Sequence, residues 1–237
     1  MEREKVIGRL SKSKLLEFKQ CPKKFYFSRL FPQEIEQSEA MIRGSNLHDL
    51  FEEFEQYRIS NKEFAINKWK HLERFEEKYI PQIKLFMDKF LRKFNGIIPE
   101  SVEGKIYSEK EDIVIKWDRI DFDGKNRIIW DYKTGKLYKG RAFESKFKFE
   151  LMIYAFIYML ETKQRINYVG IYFIDHGEYQ LLEVTNKDIQ DIIVEIKELK
   201  MQLNDYYKNN TWPEKYSYLC NYCSFKNKCE TYLRFKK

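Results

Sequence analysis

Four cysteines place the strongest constraint on this chain. Cys220, Cys223 and Cys229 form a C-x2-C-x5-C pattern in CNYCSFKNKC, and Cys21 lies 199 residues upstream of the first of them. Two thiolates that close in sequence can reach one metal centre, and a third follows on a short loop. A four-sulfur site needs one more ligand, and Cys21 is the only cysteine left. The spacing fits structural zinc and an iron–sulfur cluster alike. Such a site would tie the N-terminal segment to the C-terminal one. By analogy with disulfides, closing a loop of that length stabilises a fold by about 4–5 kcal/mol.

The rest of the composition describes a chain with a real core. Hydrophobic residues make up 43% of the 237 positions, which excludes global disorder. No apolar run approaches the roughly 18 residues of a membrane helix, and MEREKVIGRL carries charges where a signal peptide would be apolar. These features predict a soluble, cytoplasmic protein with no membrane partner, and a reducing compartment argues against disulfides. The net charge of +7 is unevenly spread: residues 1–30 carry +6, 132–148 carry +5 and 215–237 carry +5, leaving −9 for the remainder. Basic blocks on an acidic body point to a polyanion. Aromatics are abundant at 17%; most belong to the core, and some are suited to stacking on unpaired bases.

With nine Gly and five Pro, the chain has few breakers and no repeats. Ser13 is expected to cap a short helix through Gln20, with Pro22 starting the next. Leu47, Leu50, Phe51 and Phe54 recur at helical spacing in 43–57. One or two helices are expected over 61–95, with Phe64, Trp69, Leu72, Phe75 and Tyr79 inward and Pro81 dividing them. The pattern then alternates: strands are expected at 102–108, 112–121 and 127–133, the last two joined by an Asp123-Gly124 turn. A helix at 144–161, apolar nearly all round, should be buried. Strands at 166–174 and 178–184, joined at Asp175-His176-Gly177, and an amphipathic helix over 186–209 complete the order. A single domain is expected over 1–237. It comprises a helical N-terminal region (residues 1–95), an αβ core (96–185), and a C-terminal helix and cysteine lobe (186–237).

A group of polar residues sits at the end of these apolar strands. Strand alternation puts Asp131 and Lys133 on one face and Trp130 and Tyr132 on the other. Val114, Lys116, Asp118 and Ile120 would share a face of the preceding strand, bringing Asp118 toward Asp131. Two carboxylates and a lysine in such a place are costly unless something uses them. Mg2+ or Mn2+ would relieve their repulsion, and Lys133 would orient or activate water against a phosphodiester. His48, beside the apolar stripe of its helix, is a candidate imidazole ligand that would favour Mn2+. Glu150 and Tyr154, four apart, share one face of the buried helix. Glu150 there needs a partner, with Lys133 a candidate, or else benefits from a helix N-terminus.

Four segments together resemble a known family, the PD-(D/E)xK nucleases of the RecB type, and within it the iron–sulfur branch that includes the CRISPR-associated Cas-four nucleases and the AddB nuclease domain. LLEFKQCPKKFYFSRL resembles that branch's first-cysteine helix, and RGSNLHDLFEEF, with Gly44 and His48, its histidine motif. IKWDRIDFDGKNRIIWDYKTGK carries Asp118, Asp131 and Lys133 in the family order. CNYCSFKNKC has the last three cysteines at the family spacing. The chain departs in having Glu150 where the family often has Gln in Q-x-x-x-Y, with Tyr154 retained, and Ile115 where a Gly is common.

The resemblance implies an α/β restriction-endonuclease-like core with a mixed sheet flanked by helices. It implies that His48, Asp118, Asp131 and the Tyr132 carbonyl bind Mg2+ or Mn2+, and that Lys133 is the catalytic lysine, with Glu150 and Tyr154 beside it. It also implies a structural [4Fe–4S] cluster on the four cysteines. The activity implied is a metal-dependent DNA exonuclease acting on single strands from their ends, in CRISPR spacer acquisition or recombination and repair. CRISPR integration proteins or a helicase would be its partners. Lys136, Lys139 and Arg141, in the 132–148 basic block, are the candidate nucleic-acid contacts. The rival readings are a non-catalytic binding subunit of a complex and a zinc-stapled nucleic-acid-binding protein.

Overall fold

The computed structural model describes residues 7–32, 38–61 and 79–235; the expected inward positions Phe64, Trp69, Leu72 and Phe75 lie outside them. In chain order the elements are β1 (Leu10–Ser11), α1 (Lys12–Gln20), α2 (Pro22–Leu30), α3 (Glu39–Asn61), and α4 (Ile80–Leu85), which runs into a π-helical turn (Phe86–Leu91). There follow β2 (Ser101–Val102), β3 (Lys105–Ser108), β4 (Ile113–Lys116), β5 (Arg119–Phe122), β6 (Arg127–Lys133) and α5 (Gly140–Thr162). The chain closes with β7 (Tyr168–Phe173), β8 (Glu178–Glu183), α6 (Asn186–Lys208), two 3-10 turns (Tyr218–Tyr222 and Lys226–Lys228) and α7 (Glu230–Phe235). None of the described helices is long and apolar enough to cross a membrane.

The chain divides into two compact units, one of Met1–Ser38, Tyr107–Val114 and Gln190–Lys237, the other of Glu39–Ile106 and Ile115–Ile189. In the first, α1 is capped by the Ser11 hydroxyl, which accepts from the Lys14 N–H, and not by Ser13. Ser11 has the extended backbone an N-cap needs because it ends β1, which pairs in parallel with β4. Pro22 opens α2 as expected. Helix α2 brings Phe25 and Tyr26 onto Trp212 (ring centroids 6.2 and 4.8 Å apart) and Phe27 against Phe225 (5.9 Å). The Lys23 N–H donates to the Pro213 carbonyl at 3.1 Å. The residues around Cys21 are thus packed on those around Cys220 by aromatic contacts of their own.

The second unit is built on a five-stranded mixed sheet in the order β2-β5-β6-β7-β8, antiparallel except for the β6–β7 pair. Gly170 on β7 lets the Trp130 ring of β6 lie against the sheet; a Cβ there would fall 2.6 Å from that ring. Trp130 and Tyr132 join α3 and the π-turn in one core with Leu47, Phe51, Phe86 and Phe90. The buried helix α5 starts at Gly140, four residues before its expected start.

Two expected strands are each broken. The 102–108 segment divides into β2 and β3 at Glu103-Gly104, and 112–121 into β4 and β5 at Trp117-Asp118. The breaks face each other: Glu103 N–H donates to the Asp118 carbonyl (3.0 Å) and Trp117 N–H to the Gly104 carbonyl (3.0 Å). The Trp117 indole lies flat on Gly104, where any Cβ would meet it at 2.0 Å, and donates to Ser101 Oγ at 3.2 Å. Val114, Lys116, Asp118 and Ile120 therefore do not share one continuous face.

Buried charges fix α3 to the sheet. Arg58 donates to both Glu55 oxygens (2.9 and 2.7 Å) and to the Gly96 and Ile97 carbonyls (2.7 and 3.0 Å). Arg119 contacts Glu55 (2.8 Å) and Asp121 (2.7 Å), and the Trp130 indole donates to Asp121 at 2.8 Å. Two cations offset two anions, which makes burial of all four tolerable. Burial pushes the Asp121 carboxyl up despite Arg119, so each donor to it counts. Trp130→Phe should cost about 1–3 kcal/mol by removing one donor from a buried carboxylate. Urea unfolding measures this; an unchanged midpoint would show that the indole contributes nothing beyond its ring.

Candidate active site

The site lies where β6 ends between α3 and α5. The β5–β6 register pairs Arg119 with Trp130, so Asp118, one residue before β5, abuts Asp131. Asp118 Oδ2 accepts from the Tyr132 N–H, while its Oδ1 lies 3.1 Å from His48 Nδ1. His48 Nε2 is 3.1 Å from the Tyr132 carbonyl oxygen. Two acceptors on opposite ring nitrogens are both satisfied only by the imidazolium. Burial alone would lower the His48 pKa, but the hydrogen bond and charge of Asp118 outweigh it and hold it above its ordinary value.

On the face toward α5, Asp131 is 4% exposed. Its Oδ1 accepts from the Tyr154 hydroxyl at 3.0 Å, and Lys133 Nζ lies 2.7 Å from its Oδ2. Glu150 Oε1 is 3.9 Å from the same ammonium. Burial works against a charged Lys133, but Asp131 and Glu150 together raise its pKa well above the ordinary lysine value. Burial pushes the Tyr154 phenol well up, reinforced by Asp131, so it remains a donor. Glu150 stands ten residues beyond the start of α5, so a helix N-terminus does not account for it and Lys133 does.

A further residue joins the group without having been singled out in the sequence. The ligand atoms of His48, Glu103 and Asp118 all lie within 4.8 Å of one another. Glu103 also pairs with Lys116 Nζ at 2.6 Å. The signal for it was the Glu103-Gly104 dipeptide interrupting an alternating segment.

The loop after Lys133 is tied down by groups far away in sequence. Gly135 N–H donates to Asp175 Oδ2 at 2.7 Å, Arg43 holds the same carboxylate, and the Gly135 carbonyl is 2.8 Å from His176 Nε2. The candidate nucleic-acid contacts Lys136, Lys139 and Arg141 are all exposed. Lys139 is matched by Glu178 at 3.1 Å, Lys148 by Asp188 at 2.7 Å, and the Lys136 ammonium sits 5.5 Å from the Tyr138 ring centre.

In the first unit, Cys21, Cys220, Cys223 and Cys229 line one cavity of about 240 Å3. Backbone N–H groups point at two of the sulfurs, Lys24 to Cys21 at 3.5 Å and Ser217 to Cys220 at 3.4 Å. Burial raises the thiol pKa of Cys223 and of Cys229, and the neighbouring Cys21 and Cys220 add to the rise at Cys223.

Comparison with known proteins places the fold and the family. The chain is similar to a solved protein of Eubacterium rectale described as a candidate exonuclease (16% identity, TM-score 0.59, 93% of this chain and 88% of that one). It is also similar to SSO0001 (16% identity, TM-score 0.50, 93% and 85%). At that identity the likeness shows the fold. No curated protein matches significantly. The profile of the PD-(D/E)XK nuclease superfamily matches residues 9–230, spanning every element that builds the site, and the chain belongs to that superfamily.

Proposed function

We propose that this nuclease is a divalent-metal-dependent deoxyribonuclease of the iron–sulfur branch, acting on single-stranded DNA from its ends, and that residues 1–237 form one functional nuclease domain. The observation that carries the reading is the convergence of His48, Asp118 and the Tyr132 carbonyl beside the Asp131–Lys133 pair. These are oxygen and imidazole donors, and they fit Mg2+ or Mn2+. A bound ion would polarise the scissile phosphate and lower the pKa of water. Lys133, held protonated, offers its charge to the phosphate, while Asp131 and Glu150 fix its position. Tyr154 orients Asp131.

The four cysteines around one cavity, with N–H groups aimed at sulfur, fit a [4Fe–4S] cluster as the structural group. Support for single strands comes from the same unit, where Tyr218 and Tyr222 are 76% and 84% exposed in a segment that also carries Lys215 and Lys226. Aromatic faces among lysines suit stacked, unpaired bases. A role in CRISPR spacer acquisition or in recombination and repair, beside integration proteins or a helicase, follows from the resemblance to that branch. The test is incubation of anaerobically purified protein with end-labelled single and double strands and Mn2+. Progressive shortening of single strands is expected, and intact label on both substrates would refute the reading.

Phosphate contacts by the 132–148 block make a further prediction. Binding of single strands should fall with salt at a log–log slope of about −0.7 per phosphate contacted. Lys136→Ala with Arg141→Ala should flatten that slope and weaken all sequences alike. Lys139→Ala should act in the same direction, since its pair with Glu178 is exposed on both sides and yields readily to phosphate. Equal slopes for wild type and the double variant would make this block ordinary surface.

A further inference from the structure

Glu103 stands between β2 and β3 with a left-handed φ of 47°, a conformation that Glu rarely adopts. The backbone is held there by its hydrogen bond to the Asp118 carbonyl and by the Trp117 ring packed on Gly104. The result is an acidic side chain only 10% exposed, turned in beside a second carboxylate. Like charges so close are relieved by a cation between them or by a proton on one of them. The ammonium paired with Glu103 is that of Lys116, whose side chain is 65% exposed, and His48 lies in the same group. An ion pair with so exposed a partner is weak and easily exchanged. Asp131, by contrast, is engaged on both oxygens, by Tyr154 and by Lys133.

We propose that Glu103 is a third side-chain ligand, with His48 and Asp118, of the divalent cation, and that Lys116 is the resident counter-ion which the cation displaces. The proposal rests on reading His48 and Asp118 as metal ligands. One imidazole and two carboxylates make a donor set suited to Mn2+. The strained turn then has a use: an extended Glu103 would follow the strand, whereas the left-handed one faces the ligands.

The experiment is a Mn2+ titration of the full chain, followed by calorimetry or by the loss of free-ion signal in electron paramagnetic resonance. Wild type, Glu103→Gln, Lys116→Met and Asp118→Asn are compared at low ionic strength. Glu103→Gln should weaken Mn2+ binding by about tenfold or more, and Lys116→Met should tighten it by about threefold. The opposite signs matter, since a pair that merely props the turn would lose affinity in both variants, and that result overturns the proposal. If Asp118→Asn loses binding while Glu103→Gln retains wild-type affinity, Glu103 is not a ligand although the metal reading stands. If all four proteins bind alike, both fall together.

Discussion

Asp131→Asn and Lys133→Ala should each lower DNA cleavage by about a thousandfold or more, with single-strand affinity unchanged. The two residues form one buried unit, with Lys133 Nζ 2.7 Å from Asp131 and 3.9 Å from Glu150. Its carboxylate neighbours raise the Lys133 pKa against the effect of burial, which favours its charged form beside Asp131. Removing one preorganised charge from a site where negative charge develops costs two to three decades in rate. Lys133→Ala also leaves Asp131 and Glu150 facing each other without a cation, which adds to the loss. Asp131→Asn preserves shape and still accepts from Tyr154, so its effect isolates the charge. Three decades correspond to about 4 kcal/mol of transition-state stabilisation. Lys133→Arg should not rescue, since a planar fork cannot replace a compact ammonium between two carboxylates. Single-turnover cleavage beside fluorescence-anisotropy binding separates the outcomes. Wild-type rates in either variant would move the chemistry elsewhere, and parallel loss of binding would make these residues substrate contacts.

Much of this site could be read from strand alternation. Asp131 and Lys133 facing away from Trp130 and Tyr132 follows from a period of two, and the structure has the first pair toward α5 and the second in the core. The Asp123-Gly124 turn likewise sets the register that brings Asp118 to Asp131. Glu103 escaped because its position depends on a left-handed residue and on the Trp117–Gly104 contact, thirteen residues apart, neither of which leaves a periodic signal. The buried Glu55, Arg58, Arg119 and Asp121 escaped for the opposite reason: charges are ordinarily surface residues, and only the fold shows that these four neutralise one another. The cap at Ser11 depended on β1 pairing with β4, a contact across a hundred residues. Lys139 reads as a free positive charge in sequence because Glu178 lies on a distant strand.

Cys21→Ser should remove broad absorption near roughly 400 nm from anaerobically purified protein and lower the thermal midpoint by about 8–20 °C. The cavity is lined by Cys21 from the N-terminal side and by three cysteines from the C-terminal side, so Cys21 alone closes the long loop. A group held only by the folded protein adds its binding energy to folding. Loop closure on this scale is worth about 4–5 kcal/mol, and each kcal/mol moves the midpoint by about 2–4 °C in a chain of this size. The unit should still fold without the cluster, because Phe25 and Tyr26 on Trp212 and Lys23 on the Pro213 carbonyl join the same segments independently. Cys21→Ser should therefore give a colourless, weaker, still cooperative protein. Metal analysis decides between the two chemistries that the cysteine spacing allows: iron with acid-labile sulfide in wild type supports the cluster. One equivalent of zinc with no iron, in protein purified without air, would overturn it and leave Cys21 as a zinc ligand with the same stabilising role.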